Sequence, residues 1–179
     1  VNISPKMLEK ALSGDIKNTF NMLSIDGDTS TNDMVSVICN GLAQNELIDS
    51  EGEQFEIFMK ALNTVNVNLC KMIAGDGEGA TKILECDVTG AKTIDDAKLV
   101  SKSVICSSLL KAAMFGADAN WGRVLCAIGY SGADVDVTKG GVSFSSSKGE
   151  IVVCENGRGV YTFCMCPGGE VVIASSQEG

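Results

Sequence analysis

Two short acidic stretches and one charged loop hold the residues best suited to chemistry. The first is Phe20-Asn21-Met22-Leu23-Ser24-Ile25-Asp26-Gly27-Asp28-Thr29-Ser30-Thr31-Asn32-Asp33, with three carboxylates (Asp26, Asp28, Asp33) around Thr29, Ser30 and Thr31. Polar side chains crowded into one turn satisfy one another or face a ligand, because burying them unpaired is costly. The plainer reading is that Thr31, Asn32 and Asp33 cap a helix opening at Met34, where a carboxylate also suits the helix dipole. The second stretch is Gly75-Asp76-Gly77-Glu78-Gly79-Ala80-Thr81-Lys82. Its glycines let the backbone approach a partner closely. A lone carboxylate raised there, Glu78, can pair with the ammonium group of a ligand; the alternative is a flexible turn. It lacks the spacing of a phosphate-binding P-loop. The third is Gly116-Ala117-Asp118-Ala119-Asn120-Trp121-Gly122-Arg123, where Asp118 and Arg123 can pair with each other over a core-filling Trp121.

What the chain lacks narrows the chemistry. It has no histidine. That excludes Ser-His-Asp and Cys-His catalysis within these residues, and zinc sites that need imidazole. No metal ligand set is expected. Gly129-Tyr130-Ser131-Gly132-Ala133 lacks the last glycine of a nucleophile elbow, and Ser131 has no histidine to activate it. Of eight cysteines, Cys39, Cys70, Cys106 and Cys126 lie on apolar helical patterns and Cys86 on a strand pattern, as small core residues of a reducing compartment would. Cys164 and Cys166 have the wrong spacing for a CxxC motif. The net charge of −9 and pI near 4.5 argue against nucleic acid and anionic membranes as partners. No apolar run has the length of a membrane span. A cytoplasmic location is the default.

The elements that must position these residues read as mixed α and β. At 179 residues the chain fits a single domain over 1–179. Ser4-Pro5 opens a helix to about Leu12, closed by Gly14. Asn18 to Ile25 reads as a strand, and Met34 to about Asn45 as a helix. Ser50 with Glu53 makes a capping box for a helix from about Glu51 to Ile73, with one apolar face of Phe55, Phe58, Leu62, Val65, Leu69 and Met72. Lys82 to Val88 alternates as a strand. Thr93 with Asp96 caps a helix to about Cys106, Ser107-Ser108 interrupts, and helix resumes from Leu109 to Phe115. A short helix opens at Trp121 and runs to about Ile128. From Val135 the pattern is strand-like, over Val135–Val137, Val142–Phe144 and Glu150–Val153, with turns at Lys139-Gly140-Gly141 and Lys148-Gly149.

Three segments in this order are more specific together than any is alone: Asp26-Gly27-Asp28-Thr29-Ser30-Thr31-Asn32-Asp33, Gly77-Glu78-Gly79-Ala80-Thr81-Lys82, and Phe115-Gly116-Ala117-Asp118-Ala119-Asn120-Trp121-Gly122-Arg123. On them the chain resembles the β chain of bifunctional ornithine acetyltransferase/glutamate N-acetyltransferase, from Val1 to about Val160. The resemblance implies layered helices and a mixed β-sheet, α/β in class, of the self-cleaving ornithine acetyltransferase/N-terminal-nucleophile aminopeptidase-like type. It implies a precursor that cleaves itself before a threonine, which becomes the nucleophile. That threonine takes acetyl from N2-acetylornithine and passes it to glutamate, its own amine serving as base. An oxyanion hole would come from the α chain, in an α2β2 heterotetramer. Glu78 matches the family's substrate-binding glutamate. No resident cofactor is implied, and acetyl-CoA is left open as a second acetyl donor.

Both ends depart from the pattern. The family's β chain begins Thr-Met-Leu, whereas this sequence begins at Val1, so the nucleophile is expected a few residues upstream and no catalytic residue lies within the chain. After Val160, Tyr161-Thr162-Phe163-Cys164-Met165-Cys166-Pro167 does not match the family's closing segment. The expectation is therefore an acetyltransferase part, inactive alone. The rivals are an N-terminal-nucleophile aminopeptidase or other hydrolase, and a non-catalytic fragment.

Overall fold

The computed structural model describes residues 1–160 in full and the backbone of 171–177. Cys164, Cys166 and the Tyr161–Pro167 segment lie outside the described residues. The chain, taken from its sequence as one domain, gathers into two compact units: residues 1–23 with 28–74, and residues 24–27 with 75–179.

The first unit is built on two helices. α1 (Pro5–Asp15) starts as expected, with the Ser4 hydroxyl accepting from the Met7 amide at 3.4 Å and proline at the first helical position. α2 (Glu53–Gly75) is the longest element. Ser50 does not cap it; its hydroxyl donates to Asp49 instead, and the chain enters the helix through Gly52. Met7, Ala11, Ile48, Phe55 and Leu62 form this unit's core. The apolar stripe of α2 is buried only in its first half, at Phe55 and Leu62; Val65, Leu69 and Met72 are exposed.

Two sequence expectations fail in this unit. Residues 18–25 are not a strand but turns around a short 3-10 helix, Phe20–Met22. The cause is a buried carboxylate. Asp15, 3% exposed, accepts from Asn63 Nδ2 at 2.8 Å, Asn66 Nδ2 at 2.7 Å and Thr19 Oγ1 at 3.2 Å. The Thr19 hydroxyl also reaches the Asp15 carbonyl at 3.0 Å. Bringing Thr19 back to the end of α1 curls the chain where a strand would run straight. Residues 34–45 are likewise not a helix; they form no regular element, and the chain turns at 41–43. Val35, Val37 and Ile38 are β-branched and lose rotamer freedom in a helix, and of these apolar side chains only Val37 packs on the core of this unit among the described residues.

The second unit is two layers, helices on a mixed sheet. β1 (Leu84–Thr89) is followed by α3 (Ile94–Cys106), α4 (Ser108–Phe115) and α5 (Trp121–Gly129). Thr93 Oγ1 accepts from the Asp96 amide at 3.0 Å, as the capping spacing predicts. The interruption at Ser107 is a junction: its amide closes α3 on the Val104 carbonyl, and its hydroxyl opens α4 by accepting from the Leu110 amide. The strand expected at Val135–Val137 is instead irregular chain leading into a 3-10 turn at Val137–Lys139, capped by Asp136. β2 (Gly140–Ser146) and β3 (Gly149–Glu155) form the expected hairpin, followed by β4 (Arg158–Gly159) and β5 (Val171–Gln177).

The strand order is β1-β5-β2-β3-β4, with β1 parallel to β5 and the other pairs antiparallel. Val100 and Val104 of α3, Leu110 and Met114 of α4, and Val124, Ala127 and Ile128 of α5 pack with Val142, Phe144 and Val153 of the hairpin. Burying each such leucine- or phenylalanine-sized side chain stabilises by roughly 1.5–3 kcal/mol. Ser103 Oγ ties α3 to α5 through the Ala127 carbonyl at 2.7 Å.

The cysteines are less buried than their patterns suggest. Cys106 and Cys126 are exposed, Cys39, Cys70 and Cys86 are half-buried, and only Cys154 among the described residues is fully buried. Cys39 lies in the irregular segment and Cys86 in β1 as expected.

Candidate functional site

α4 is the element on which the motif segments of the second unit converge. Lys111, in its middle, donates to the Ile25 carbonyl at 2.6 Å, with the Ser24 hydroxyl at 3.5 Å. That anchors the start of the acidic stretch. The carbonyl of Phe115, its last residue, accepts from Lys82 Nζ at 3.4 Å, which brings in the segment carrying Glu78. A cation there also meets the negative end of the helix dipole. The Leu109 carbonyl, in its first turn, accepts from the Arg123 guanidinium. α4 can hold these partners because Leu110, Ala113 and Met114 fix its other face in the core.

Glu78 is exposed in the turn between α2 and β1. The turn is closed by the Ala80 amide on the Gly77 carbonyl at 2.9 Å, with Gly79 at φ 69, a conformation side chains rarely adopt. A solvated carboxylate on a closed turn is poised to meet a cation.

The loop after α4 departs from what its glycine suggests. Gly116 sits at φ −75, and Ala117 instead takes the left-handed conformation at φ 59. The Asp118 amide bonds to the Ala113 carbonyl at 2.8 Å and the Ala117 amide to the Met114 carbonyl at 3.1 Å. This is a Schellman ending with alanine where glycine is usual, at a cost of roughly 1–2 kcal/mol. Asp118 and Arg123 do not meet: Asp118 accepts from Asn120 Nδ2 at 2.9 Å, and Arg123 bonds to Leu109. Asn120 also caps α5 by accepting from the Arg123 amide. Trp121 packs on the core as expected. A Cβ on Gly159 would lie 2.4 Å from its ring, so β4 crosses the indole at a spacing only glycine allows.

The acidic stretch 26–33 is exposed and divided, with Asp26 and Gly27 in the second unit and Asp28 onward in the first. Ser30 and Asn32 close a small turn, the hydroxyl donating to Asn32 Oδ1 at 2.8 Å. No helix follows, so Thr31, Asn32 and Asp33 cap none. The thiols of Cys70, Cys86 and Cys154 are all raised by burial, that of Cys86 to about 12, which holds them as thiols rather than nucleophilic thiolates at neutral pH. Among the described residues, no cluster of Cys, Asp and Glu could hold a metal ion, and no helix is long and apolar enough to cross a membrane.

Sequence reasoning missed Lys111 and Lys82 as anchors, because a lysine bonded to a distant carbonyl leaves no local pattern. It also missed the Asp15 network, which did leave a signal. An aspartate in the last turn of α1 opposes the helix dipole and needs partners from elsewhere.

The comparisons with known proteins agree with the layout. The profile of the ArgJ family matches residues 1–165. The chain is 52% identical over 159 residues to "Arginine biosynthesis bifunctional protein ArgJ 1" of Clostridium acetobutylicum, covering 89% of this chain and 39% of that protein. It is 50% identical over 156 residues to the ArgJ protein of Caldanaerobacter subterraneus, covering 87% of this chain and 39% of that protein. The chain thus spans about two-fifths of the length of the curated relatives it matches. A crystal structure of arginine biosynthesis bifunctional protein ArgJ from Bacillus halodurans superposes with a TM-score of 0.85 at 39% identity, covering 97% of this chain and 84% of that one. With its family profile, its close relatives and its fold in accord, the chain belongs to the ArgJ family.

Proposed function

We propose that this chain is one part of an acetyltransferase of arginine biosynthesis that moves acetyl from N2-acetylornithine to glutamate. The observation that carries the reading is the anchoring on α4 of Ile25, at the entry to the acidic stretch, of Lys82 and of Arg123, with Glu78 left exposed on its turn. The nucleophile of this reading is an N-terminal threonine outside the 179 residues, freed by self-cleavage of a precursor. Its hydroxyl attacks the acetyl carbonyl, its α-amine takes the proton, and ornithine leaves with a proton returned to its nitrogen. Glutamate then attacks the acyl-enzyme and restores the threonine. The exposed carboxylate of Glu78 binds the cationic side of ornithine.

The rest of the family protein is the partner, in an α2β2 assembly in the cytoplasm, with acetyl-CoA as a candidate second donor and no resident cofactor. The share of each relative covered supports a two-chain arrangement. The chain covers 84% of the crystallised chain but 39% of the curated relative, so the crystallised chain is itself about half as long as the curated proteins.

The test is the mass and N-terminal residue of each polypeptide made from the complete reading frame. Two polypeptides, the smaller beginning at threonine, support the reading; one uncleaved polypeptide overturns the self-cleavage. In the assembled enzyme, Glu78→Gln should raise KM for acetylornithine about tenfold or more, the worth of one charge-assisted bond. A lowered Tm with unchanged KM would remove Glu78 from the site. Acyl-enzyme captured by water rather than glutamate would mark a hydrolase.

A further inference from the structure

Residues 1–4 lead into α1, and the loop 41–48 grips them. Ile3 and Ile48 form a parallel bridge, in which the Ile48 amide donates to the Asn2 carbonyl at 3.1 Å and the Ser4 amide to the Ile48 carbonyl at 2.9 Å. One residue back toward Val1, a side chain supplies the next rung. Asn45 Oδ1 accepts from the Asn2 amide at 2.7 Å, and Asn45 Nδ2 donates to the Asn2 carbonyl at 3.0 Å and to the Glu46 carbonyl at 2.7 Å. The Asn2 side chain returns a bond, from Nδ2 to the Asn45 carbonyl at 3.3 Å, and the Gly41 amide reaches the Val1 carbonyl at 3.2 Å. The half-buried Asn45 thus uses both amide hydrogens and its oxygen, a primary amide standing in for strand backbone. Gln44, just before it, holds φ 54, a left-handed conformation costly for such a residue and the kind of strain that accompanies function.

We infer that Asn45 is a positioning residue for the nucleophile. By pairing with both backbone groups of Asn2 it fixes the register and direction in which the chain arrives at Val1 from upstream, and so the place of the threonine hydroxyl. The inference rests on the reading proposed above, in which that threonine precedes Val1 by a few residues. Each extended residue spans only about 3.3–3.6 Å, so a few residues leave little slack between Asn2 and the nucleophile. Misplacing a reacting atom by about 1 Å costs on the order of a hundredfold in rate. The plainer role of an asparagine in a loop is to close its own turn. The bond to the Glu46 carbonyl does that, whereas the two bonds to the Asn2 backbone join residues 43 apart in sequence.

The experiment uses the complete reading frame, with kcat and KM for acetylornithine measured on cleaved enzyme well below the Tm of every variant. Asn45→Ala should lower kcat by about ten- to a hundredfold and leave KM within about twofold, because the contacts of the substrate itself are untouched. Asn45→Asp keeps the acceptor for the Asn2 amide without the donors. It should lose part of kcat at the same KM, and it carries the test if Asn45→Ala does not fold. An Asn45→Ala precursor that keeps the parental Tm but stays uncleaved also supports the inference, because cleavage needs the same threonine in place. Parental kcat and KM overturn it, whether or not Tm falls, and leave Asn45 a structural tie. A raised KM at parental kcat overturns it in favour of substrate binding. A parent that neither cleaves nor transfers acetyl overturns the reading itself, and the positioning role falls with it.

Discussion

The two units solve the problem of burial differently. The second closes its sheet with three helices and seals Leu110, Val124 and Phe144 in a common core. The first has a thin core around Met7, Ala11 and Phe55, leaves the far half of its α2 stripe in solvent, and relies on a buried carboxylate clasped by two asparagines and a threonine. An apolar core is non-directional and tolerates approximate fits. A polar clasp works only when every member is present. The first unit therefore depends on a few specific bonds where the second depends on many interchangeable contacts.

The largest effect should come from the second unit. Leu110→Ala removes a fully buried side chain at the centre of α4 and should cost about 2–5 kcal/mol in denaturant unfolding. It should also loosen the Lys111, Lys82 and Arg123 anchors together. A loss under 1 kcal/mol would show that this core is softer than its burial suggests. In the first unit, Asp15→Ala leaves the Asn63, Asn66 and Thr19 donors unsatisfied and should cost about 1–3 kcal/mol. No loss of α2 helicity by circular dichroism would mean that the thin apolar core holds the unit unaided, and the contrast between the units would collapse.

Ala117→Gly should sharpen the contrast, because it relieves left-handed strain beside α4 while adding freedom to the unfolded chain. A net stabilisation of up to about 1 kcal/mol is expected, read as a higher Tm. A clear destabilisation would mean the alanine methyl makes packing contacts that outweigh its strain. The smallest effect is electrostatic. Bonds from the Thr138 hydroxyl and amide hold the Asp136 carboxyl below its usual range. A carboxyl lowered in the folded state stabilises above its unfolded value, and that contribution fades as pH falls through the folded one. Acid titration of Asp136→Asn should therefore converge with the parent below about pH 3 and differ slightly above pH 5; a gap that widens in acid would reverse the assignment.

Much of the second unit was legible in the sequence. Thr93 with Asp96, the serines at 107 and 108, Trp121 as a helix start and the Lys148-Gly149 turn each act within a few residues of themselves. The failures lie where a distant group decides. Asn18 to Ile25 has strand composition, but Thr19 turns back to a carboxylate whose other partners lie on α2. Met34, Ile38 and Leu42 are four apart, the spacing of one helix face, yet residues 34–45 form no regular element. Glu78 was legible as a carboxylate raised on a glycine turn. The lysines that tie its surroundings to α4 were not.

The indole beneath Gly159 makes optical measurements one-sided. The chain has a single tryptophan, Trp121, and it belongs to the second unit, as does Tyr130. Tryptophan emission therefore reports on that unit alone, while the first, with only phenylalanine among its aromatics, unfolds unseen by it. Far-ultraviolet circular dichroism, with the long α2 as a large contributor, sees both. Coincident melting curves from the two probes would mean the units unfold as one; a dichroism loss preceding the emission change would mean the first lets go while the tryptophan is still covered.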